Sequence, residues 1–265
     1  MEDKLDIFIF THKTPKFIPS NKCYKMVALE CDKDKVNCNL EKIVCDSSKD
    51  NIFNFERAYS EGSRIYYLWK NYPLKEYVGT AHYRRFFDFI DNIPNLDNLF
   101  KTYDAILPKF DLWTTVKNQY TLNHNLKDLN KIIEIINEYY PEYSDAAKTF
   151  IDGDNFIPCN IFIMKKEMFN EYCEFVFGVL DKYNAIMGFE NDLDVFNWVI
   201  NHFEDYTSNR VGMLYSIPYQ ARIQSFLLER ISNIFYNKKI KNPYMVELVL
   251  TEINFDEEKT IFKNI

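Results

Sequence analysis

Two arginines and a histidine stand within four residues in the stretch YVGTAHYRRFF, which spans residues 77–87. The guanidinium groups of Arg84 and Arg85 offer fork-shaped donors that match phosphate oxygens and stay charged at physiological pH. The residues before His82 predict a buried strand, so the cations would lie at its carboxyl end. Spacing alone leaves two interpretations open, salt bridges to nearby acids or an anion site. Because the chain carries a net charge of -7, a local cluster of positive charge favours the anion site.

A second polar group follows another apolar run, LDIFIFTHK at residues 5–13. Thr11, His12 and Lys13 end this run, as is typical of a central parallel strand whose carboxyl end opens on a ligand site. The carboxyl ends of parallel strands meet at one edge of a sheet. We therefore expect this triplet to lie near residues 82–85.

The pattern of the chain alternates strand-like and helix-like segments, without an internal repeat or a low-complexity linker. This alternation predicts one α/β domain with a mostly parallel central sheet flanked by helices. We predict strands at 5–13, 77–81, 103–107 and 160–164, and helices at 55–71, 96–100, 127–140, 168–179, 192–203 and 220–235. The segment after residue 242 has no clear pattern, so residues 243–265 are interpreted as a C-terminal tail.

Composition excludes several classes of protein. With 47% apolar residues among 265, disorder is disfavoured, and the net charge of -7 provides no electrostatic footprint for nucleic acid. No apolar stretch reaches the roughly 18 residues of a membrane span, and the first residues carry acids where a signal peptide is basic. These features predict a cytoplasmic protein, at most peripheral to the inner membrane.

Four cysteines, Cys23, Cys31, Cys38 and Cys45, recur every seven or eight residues. Zinc sites usually pair their thiolates two to four residues apart, so free thiols in a reducing compartment are the favoured interpretation. We predict no metal site in the chain.

Several sequence blocks, in a fixed order from about residue 5 to residue 240, resemble the bacterial family called domain of unknown function 4422. The blocks are THK (11–13), DNI (50–52), SEGSRIYYLWKN (60–71), HYRRFF (82–87), CNIFIMKKEMFNEYCEF (159–175) and YQARIQSFLLER (219–230). The chain departs from the family pattern at Gly62, Ser63 and Arg64, where aromatic and leucine residues are more typical. The resemblance implies glycosyl transfer in capsular or exopolysaccharide assembly, with galactose donors in pyranose or furanose form.

The order of the predicted elements also resembles GT-A glycosyltransferases, which have a Rossmann-like domain. On this resemblance residues 1–110 form the nucleotide-sugar half and residues 111–242 the acceptor half. Many GT-A enzymes carry Asp-x-Asp after the second of these strands, where the aspartates hold a divalent metal on the donor diphosphate. His82, Tyr83 and Arg84 occupy that place here. The sequence leaves an ion such as Mn²⁺ or Mg²⁺ open but predicts no cofactor.

The resemblance implies a donor that is a nucleotide sugar, such as a uridine diphosphate (UDP) sugar, and an acceptor that is an oligosaccharide or a lipid-linked glycan. We expect Arg84 and Arg85, helped by His82, to stabilise the leaving diphosphate, and Thr11, His12 and Lys13 to contact the nucleotide. Adjacent strand residues face opposite sides, so both arginines reach one ligand only if the strand has ended before them.

The block at 219–230 predicts a helix with Arg230 inside its apolar arc, and Arg222 and Glu229 at the edge. Two alternatives stay open: an internal ion pair with Glu229 or another acid, or a second cationic contribution to the diphosphate. In the second case Tyr219 and Gln220, at the start of the helix, would face the sugar. His124 is a weaker candidate, since a lone loop histidine is usually a surface residue.

An inverting transferase needs one carboxylate to deprotonate the acceptor hydroxyl. The candidate catalytic carboxylates are Asp154, Asp192, Asp194 and Glu229. Helix capping is the alternative for Asp192 and Asp194, because acids are favoured at helix starts. Asp154 could instead form a displaced metal site with Asp152.

Two other functions remain open from the sequence. A non-catalytic partner in a polysaccharide-assembly complex would keep the fold without the chemistry. A phosphatase or nucleotidyltransferase is disfavoured, because the chain has no glycine-rich phosphate loop and no C-x5-R motif.

Overall fold

The computed structural model describes residues 3–110, 112–208 and 210–251, which fold around one mixed β-sheet. Its strands are β1 (Leu5–Phe10), β2 (Tyr24–Leu29), β3 (Lys42–Cys45), β4 (Tyr77–His82), β5 (Arg85–Phe87), β6 (Ala105–Pro108), β7 (Phe162–Lys165), β8 (Pro243–Val246) and β9 (Leu248–Leu250). The α-helices are α1 (Glu56–Tyr59), α2 (Glu61–Asn71), α3 (Leu96–Leu99), α4 (Val116–Asn123), α5 (Leu126–Tyr139), α6 (Ser144–Asp152), α7 (Lys166–Met187), α8 (Asp192–Asn201), α9 (Phe203–Thr207), α10 (Ile217–Gln220) and α11 (Ile223–Lys239).

The strand order is β3-β2-β1-β4-β7-β6-β8, with β5 and β9 attached beside β4. The strands β3, β2, β1 and β4 are parallel, β7 runs antiparallel to both of its neighbours, and β8 is parallel to β6. Most paired residues therefore lie in parallel ladders. The predicted α/β fold with a mostly parallel central sheet is confirmed.

The central strand β1 is buried on both faces, and its residues alternate between two hydrophobic cores. Phe8 and Phe10 pack into the larger core with α5, α7 and α11, whereas Ile7 and Ile9 pack into the smaller core with Phe86. Side chains of successive strand residues point to opposite faces, so a strand that is apolar at every position except Asp6 is suited to this central position.

The carboxyl ends of β1 and β4 lie side by side, because Phe10 pairs with His82. After His82 the chain turns through Tyr83 and Arg84, and Arg85 pairs back antiparallel to His82. The strand has therefore ended before both arginines. This turn places the Arg84 side chain at the sheet edge where Thr11 follows β1.

Two predicted helices differ from the observed ones in ways that affect the site. The helix predicted at 55–71 is divided at Ser60, whose backbone has φ 52 and ψ -121. The helix predicted from residue 220 begins at Ile223, after the short helix α10.

The expected tail is not separate from the sheet in its first part, because β8 pairs with β6 and β9 with β5. These strands have only four and three residues, too few to show a periodic pattern in the sequence. The rest of the expected tail, residues 252–265, lies outside the described residues.

Candidate functional site

Two clefts open at the carboxyl edge of the parallel strands. The first, with a volume of about 530 Å³, lies where β1 and β4 end and is called the strand-end cleft. The second, of about 410 Å³, lies between the β4–β5 turn and helices α4 and α11 and is called the helix cleft. Arg84 and Arg222 line both clefts. The two cavities therefore meet at a pair of guanidinium groups.

The two adjacent arginines of the opening motif divide between the clefts. Arg84 lines both, whereas Arg85 lines only the helix cleft, where its Nη1 lies 3.4 Å from Cys159 Sγ. The Arg84 guanidinium also lies over the Tyr83 ring, 5.1 Å from its centroid. The turn after His82 thus separates the two side chains.

His82 lines the strand-end cleft in its neutral form. Burial lowers its pKa well below the ordinary value, and the positive charges of Arg85, Arg84 and Arg222 act in the same direction. Its Nδ1 accepts a hydrogen bond from the backbone N–H of Arg84, at 3.2 Å. Since a neutral imidazole carries one proton, this bond assigns that proton to Nε2. In this form His82 supplies a hydrogen-bond donor rather than a positive charge.

The triplet after β1 is only partly in the strand-end cleft. Thr11 and His12 line it, and the Thr11 hydroxyl bonds the backbone of Lys13 at both its N–H and its carbonyl. Partial burial and the charge of Lys13 lower the pKa of His12. Lys13 itself is exposed, lines neither cleft and has its Nζ 5.8 Å from the Tyr83 ring centroid.

Arg222 joins the helical half of the molecule to the strand ends. Its Nε donates to Ser60 Oγ at 2.8 Å, and its guanidinium lies 5.6 Å from the Phe226 ring centroid. Within the described residues its two Nη groups make no hydrogen bond. The fork of Arg222 is therefore held by Nε while both Nη groups remain available at the clefts.

Arg230 forms the internal ion pair that the sequence left as one alternative. Only 2% of this residue is exposed, and its Nη1 donates to Glu229 Oε2 at 2.9 Å while Nη2 donates to Gln119 Oε1 at 2.7 Å. The guanidinium also lies 4.5 Å from the Phe156 ring centroid. Arg230 and Glu229 both line the helix cleft. An arginine held this firmly orients the Glu229 carboxylate.

Tyr219 also lines the helix cleft, but Gln220 does not. The Gln220 side chain is buried, and its Nε2 donates to the backbone carbonyls of Asn123 and Leu214, both at 2.9 Å. The first bond ties α10 to α4, and the second ties it to the preceding turn at residues 212–215. The structure therefore places Gln220 away from any sugar in either cleft.

Three of the four candidate catalytic carboxylates lie outside both clefts. Asp192 accepts hydrogen bonds from the backbone N–H groups of Arg57 and Ala58, at 2.9 and 2.8 Å, and so caps helix α1. Asp194 forms a capping box with Asn191 at the start of α8. Asp154 is exposed. Capping, the alternative given by the sequence, describes the first two.

Sequence reasoning missed Arg64 and Glu61, which line the strand-end cleft from α2. His124, the weaker candidate from the sequence, lines the helix cleft. His124 is a buried residue, stacked on Phe226 with 3.8 Å between ring centroids, and burial lowers its pKa well below the ordinary value. The departure of the chain at 62–64 from the family pattern was the available signal for the α2 residues.

Acidic and thiol groups in the described part of the chain form no metal cluster. Across residues 3–110, 112–208 and 210–251, no three His, Cys, Asp or Glu side chains converge where they could hold a metal ion. None of the six cysteines forms a disulfide with another described residue. Over the same ranges, no helix has the length and apolar character needed to cross a membrane.

A family model described as "Domain of unknown function (DUF4422)" matches residues 6–197. The chain belongs to the DUF4422 family. The match includes the blocks at 60–71 and 82–87, which form α2 and the β4–β5 turn, whereas the block at 219–230 lies beyond it. No curated protein matches this DUF4422 chain.

The DUF4422 chain is similar in structure to the apo form of WbbM, a bifunctional glycosyltransferase, with a TM-score of 0.68 and 21% sequence identity. The alignment covers 94% of this chain and 46% of WbbM, so this chain spans about half the length of that protein. The similarity shows that the DUF4422 chain has the fold of part of a glycosyltransferase.

Proposed function

We propose that this chain is a glycosyltransferase that moves a sugar from a nucleoside diphosphate sugar to a glycan acceptor. The observation that carries the proposal is that Arg84 and Arg222 line both clefts at the carboxyl ends of parallel strands. Ligands of open α/β sheets bind at this edge. A diphosphate held by the two arginines would place its sugar where the clefts meet.

The charges fit the chemistry of this reaction. As the bond from the sugar to the diphosphate breaks, negative charge grows on the leaving oxygen while the sugar becomes oxocarbenium-like. Guanidinium groups stabilise that negative charge and stay protonated throughout. Arg84 and Arg222 take the part that a divalent metal takes in many GT-A enzymes, and the neutral His82 donates a hydrogen bond from Nε2.

Three other residues of the strand-end cleft are suited to the nucleotide end of the donor. Thr11 and His12 lie at the end of β1, and Arg64 lines the cleft from α2. Only 7% of Arg64 is exposed, and its Nη1 donates to the Ser60 carbonyl at 3.2 Å. We propose that these side chains contact the nucleotide, with uracil as the base.

The helix cleft supplies the acceptor site in this proposal. Tyr219, Phe226 and Phe156 give it aromatic faces on which a sugar ring can stack, and Glu229 and Arg85 give it polar groups. Sites that combine aromatic faces with a few polar groups suit glycans. We propose galactose as the transferred sugar and a capsular or other surface polysaccharide as the product, because the resemblance of the motifs implies both.

The test is a panel of UDP, UDP-galactopyranose, UDP-galactofuranose and UDP-glucose, scored by thermal stabilisation and by release of UDP. We expect at least one UDP-sugar to stabilise the protein and to be hydrolysed slowly, and Arg84→Ala to weaken its binding. Activity should survive treatment with a chelator. Binding without any hydrolysis would favour a non-catalytic partner, and no binding at all would contradict the proposal.

A further inference from the structure

The carboxyl group of Glu61 stands where the strand-end cleft approaches the helix cleft. Glu61 lines the first cleft beside Arg222, and Glu229 lines the second. Two adjacent residues connect the carboxylates, because Asn160 Nδ2 donates to Glu61 Oε1 at 3.0 Å and the Cys159 backbone N–H donates to Glu229 Oε1 at 2.8 Å. The two acids therefore belong to one cluster at the junction of the clefts.

We propose that Glu61 is the general base, which takes the proton from the acceptor hydroxyl during glycosyl transfer. This inference rests on the proposed function and assigns a chemical role within it. In the step, the acceptor oxygen bonds to the anomeric carbon and the bond from that carbon to the diphosphate oxygen breaks. The electron pair of that bond leaves with the diphosphate, and the hydroxyl proton moves to Glu61.

A close approach of two helices puts Glu61 beside the cluster. A Cβ atom at Gly62 would lie only 2.9 Å from Leu228 Cδ2, so glycine lets the start of α2 lie against α11. Leu228 directly precedes Glu229. The Gly62 contact thus brings Glu61 toward the helix that carries Glu229.

Backbone strain is concentrated around the same carboxylate. Ser60, Cys159 and Asn160 are non-glycine residues with positive φ, of 52°, 66° and 46°. Ser60 directly precedes Glu61, and the side chain of Asn160 donates a hydrogen bond to Glu61. Such conformations are unfavourable for residues other than glycine and cluster where the surrounding structure holds a functional group in place. The strain at Ser60 is held by Arg222 and Arg64, which bond its hydroxyl and its carbonyl.

The electrostatic environment suits a base that works near neutral pH. Burial among protein atoms, followed by the negative charge of Glu229, raises the pKa of Glu61 to about 7. The Asn160 hydrogen bond and the charges of Arg222 and Arg64 act in the opposite direction. A general base is most effective when its pKa lies near the working pH.

Glu229 is the less suitable of the two acids. Its Oε1 accepts from the Cys159 N–H, and its Oε2 accepts from Arg230. Glu61 Oε1 accepts from Asn160, but within the described residues Oε2 of Glu61 makes no hydrogen bond. One oxygen of Glu61 is therefore available to a hydroxyl, while both oxygens of Glu229 are in use. Glu229 acts as a positioning residue whose charge tunes Glu61.

The experiment compares wild type with Glu61→Gln, using UDP-galactose as donor and water as the acceptor hydroxyl. We expect Glu61→Gln to release UDP at least about a hundredfold more slowly, with UDP binding within about threefold of wild type. The matched control is Glu171→Gln, the same change at an exposed residue on α7 outside both clefts, which should leave both values unchanged.

The pH profile gives a second measurement that needs no variant. The kcat/KM of wild type should rise with pH and level off above about 7, because only the ionised Glu61 accepts a proton. A profile that stays flat between pH 5.5 and 8.5 would overturn the inference. So would a Glu61→Gln variant that releases UDP as fast as wild type. If wild type neither binds nor hydrolyses any UDP-sugar, the proposed function fails, and the assignment fails with it.

Stability provides a readout independent of activity. At pH 8 the ionised Glu61 is poorly solvated and faces Glu229, so Glu61→Gln should unfold at the same or a higher temperature than wild type. At pH 5 Glu61 is protonated, and the difference should shrink. A variant that is less stable than wild type at pH 8 would show that the charge supports the fold, and so would contradict the role of a strained, functional acid.

Discussion

Arg222→Lys gives the sharpest test of how the diphosphate is held. The arginine is anchored through Nε to Ser60 Oγ at 2.8 Å, which leaves two Nη groups toward the clefts. Lysine keeps the charge but offers one ammonium, so it cannot both hold Ser60 and bind two phosphate oxygens. The substitution therefore removes the paired Nη donors of the guanidinium and retains the positive charge.

The magnitude follows from the bonds that are lost. A hydrogen bond that involves a charged group contributes about 1.5–3 kcal/mol. If lysine recovers one of the two phosphate bonds, the net loss is one such bond. The Kd for UDP should then rise roughly 10- to 150-fold, since about 1.4 kcal/mol corresponds to a factor of ten.

Isothermal titration calorimetry with UDP measures this change directly on folded protein. The control is Arg210→Lys, because Arg210 lies outside both clefts and its guanidinium donates to backbone carbonyls of residues 121 and 124. That variant should bind UDP as tightly as wild type. A Kd for Arg222→Lys within threefold of wild type would refute the assignment of Arg222 to the diphosphate.

Three further substitutions test the fold around the site. Gly79→Ala in β4 would bring a Cβ to 2.8 Å from Ile163 Cγ1, so the free energy of unfolding in urea should fall by about 1–3 kcal/mol; an unchanged value would show that the sheet relaxes easily. Asp192→Ala removes the acceptor of two helix N–H groups and should lower the free energy of unfolding by about 1–3 kcal/mol. The UDP affinity measured by calorimetry should stay unchanged; a loss of affinity would show that Asp192 contributes to the binding site. Burial raises the pKa of Asp128 to about 6, so protonation of Asp128 favours the folded state. In denaturant titrations, the stability of wild type relative to Asp128→Asn should therefore fall as pH rises from 4 to 7. A relative stability that rises over this range would contradict the raised pKa.

The sequence was sufficient to predict the parallel edge of the site. A run of apolar residues ending in polar ones predicted both β1 and β4, and the parallel arrangement predicted that Thr11 and His82 would be neighbours. Phe10 does pair with His82. The pattern was informative here because strands buried on both faces are mostly apolar along their length.

The sequence could not predict the ionisation of His82. In the chain it stands beside two arginines, which suggested one positively charged group. Its neutral state depends on burial and on a third arginine, Arg222, which comes from a segment 140 positions away. Burial is the largest cause of the lowered pKa, ahead of the neighbouring Arg85 and Arg84 and of Arg222, and burial depends on tertiary packing, so no local pattern reports it.

The division of one predicted helix at Ser60 also depends on a contact between residues that are distant in the sequence. The apolar spacing across 55–71 is helical on both sides of Ser60, so periodicity predicted a single helix. The break is stabilised by a tertiary hydrogen bond from Arg222 to the Ser60 hydroxyl and by a local one from Arg64 to the Ser60 carbonyl. The bond from Arg222 depends on the tertiary fold, so periodicity does not report it.

Gly62 shows what the departure of this chain from the family pattern does in the structure. In the sequence, Gly62, Ser63 and Arg64 indicated only that this helix presents a different surface from that of its relatives. In the structure the glycine permits contact with Leu228, the break at Ser60 orients the start of α2, and Arg64 reaches the strand-end cleft. A Cβ at position 62 would force the Leu228 side chain or α2 to shift, next to the acid whose pKa burial and Glu229 raise. The acid between the clefts therefore depends on the absence of a side chain at its neighbour.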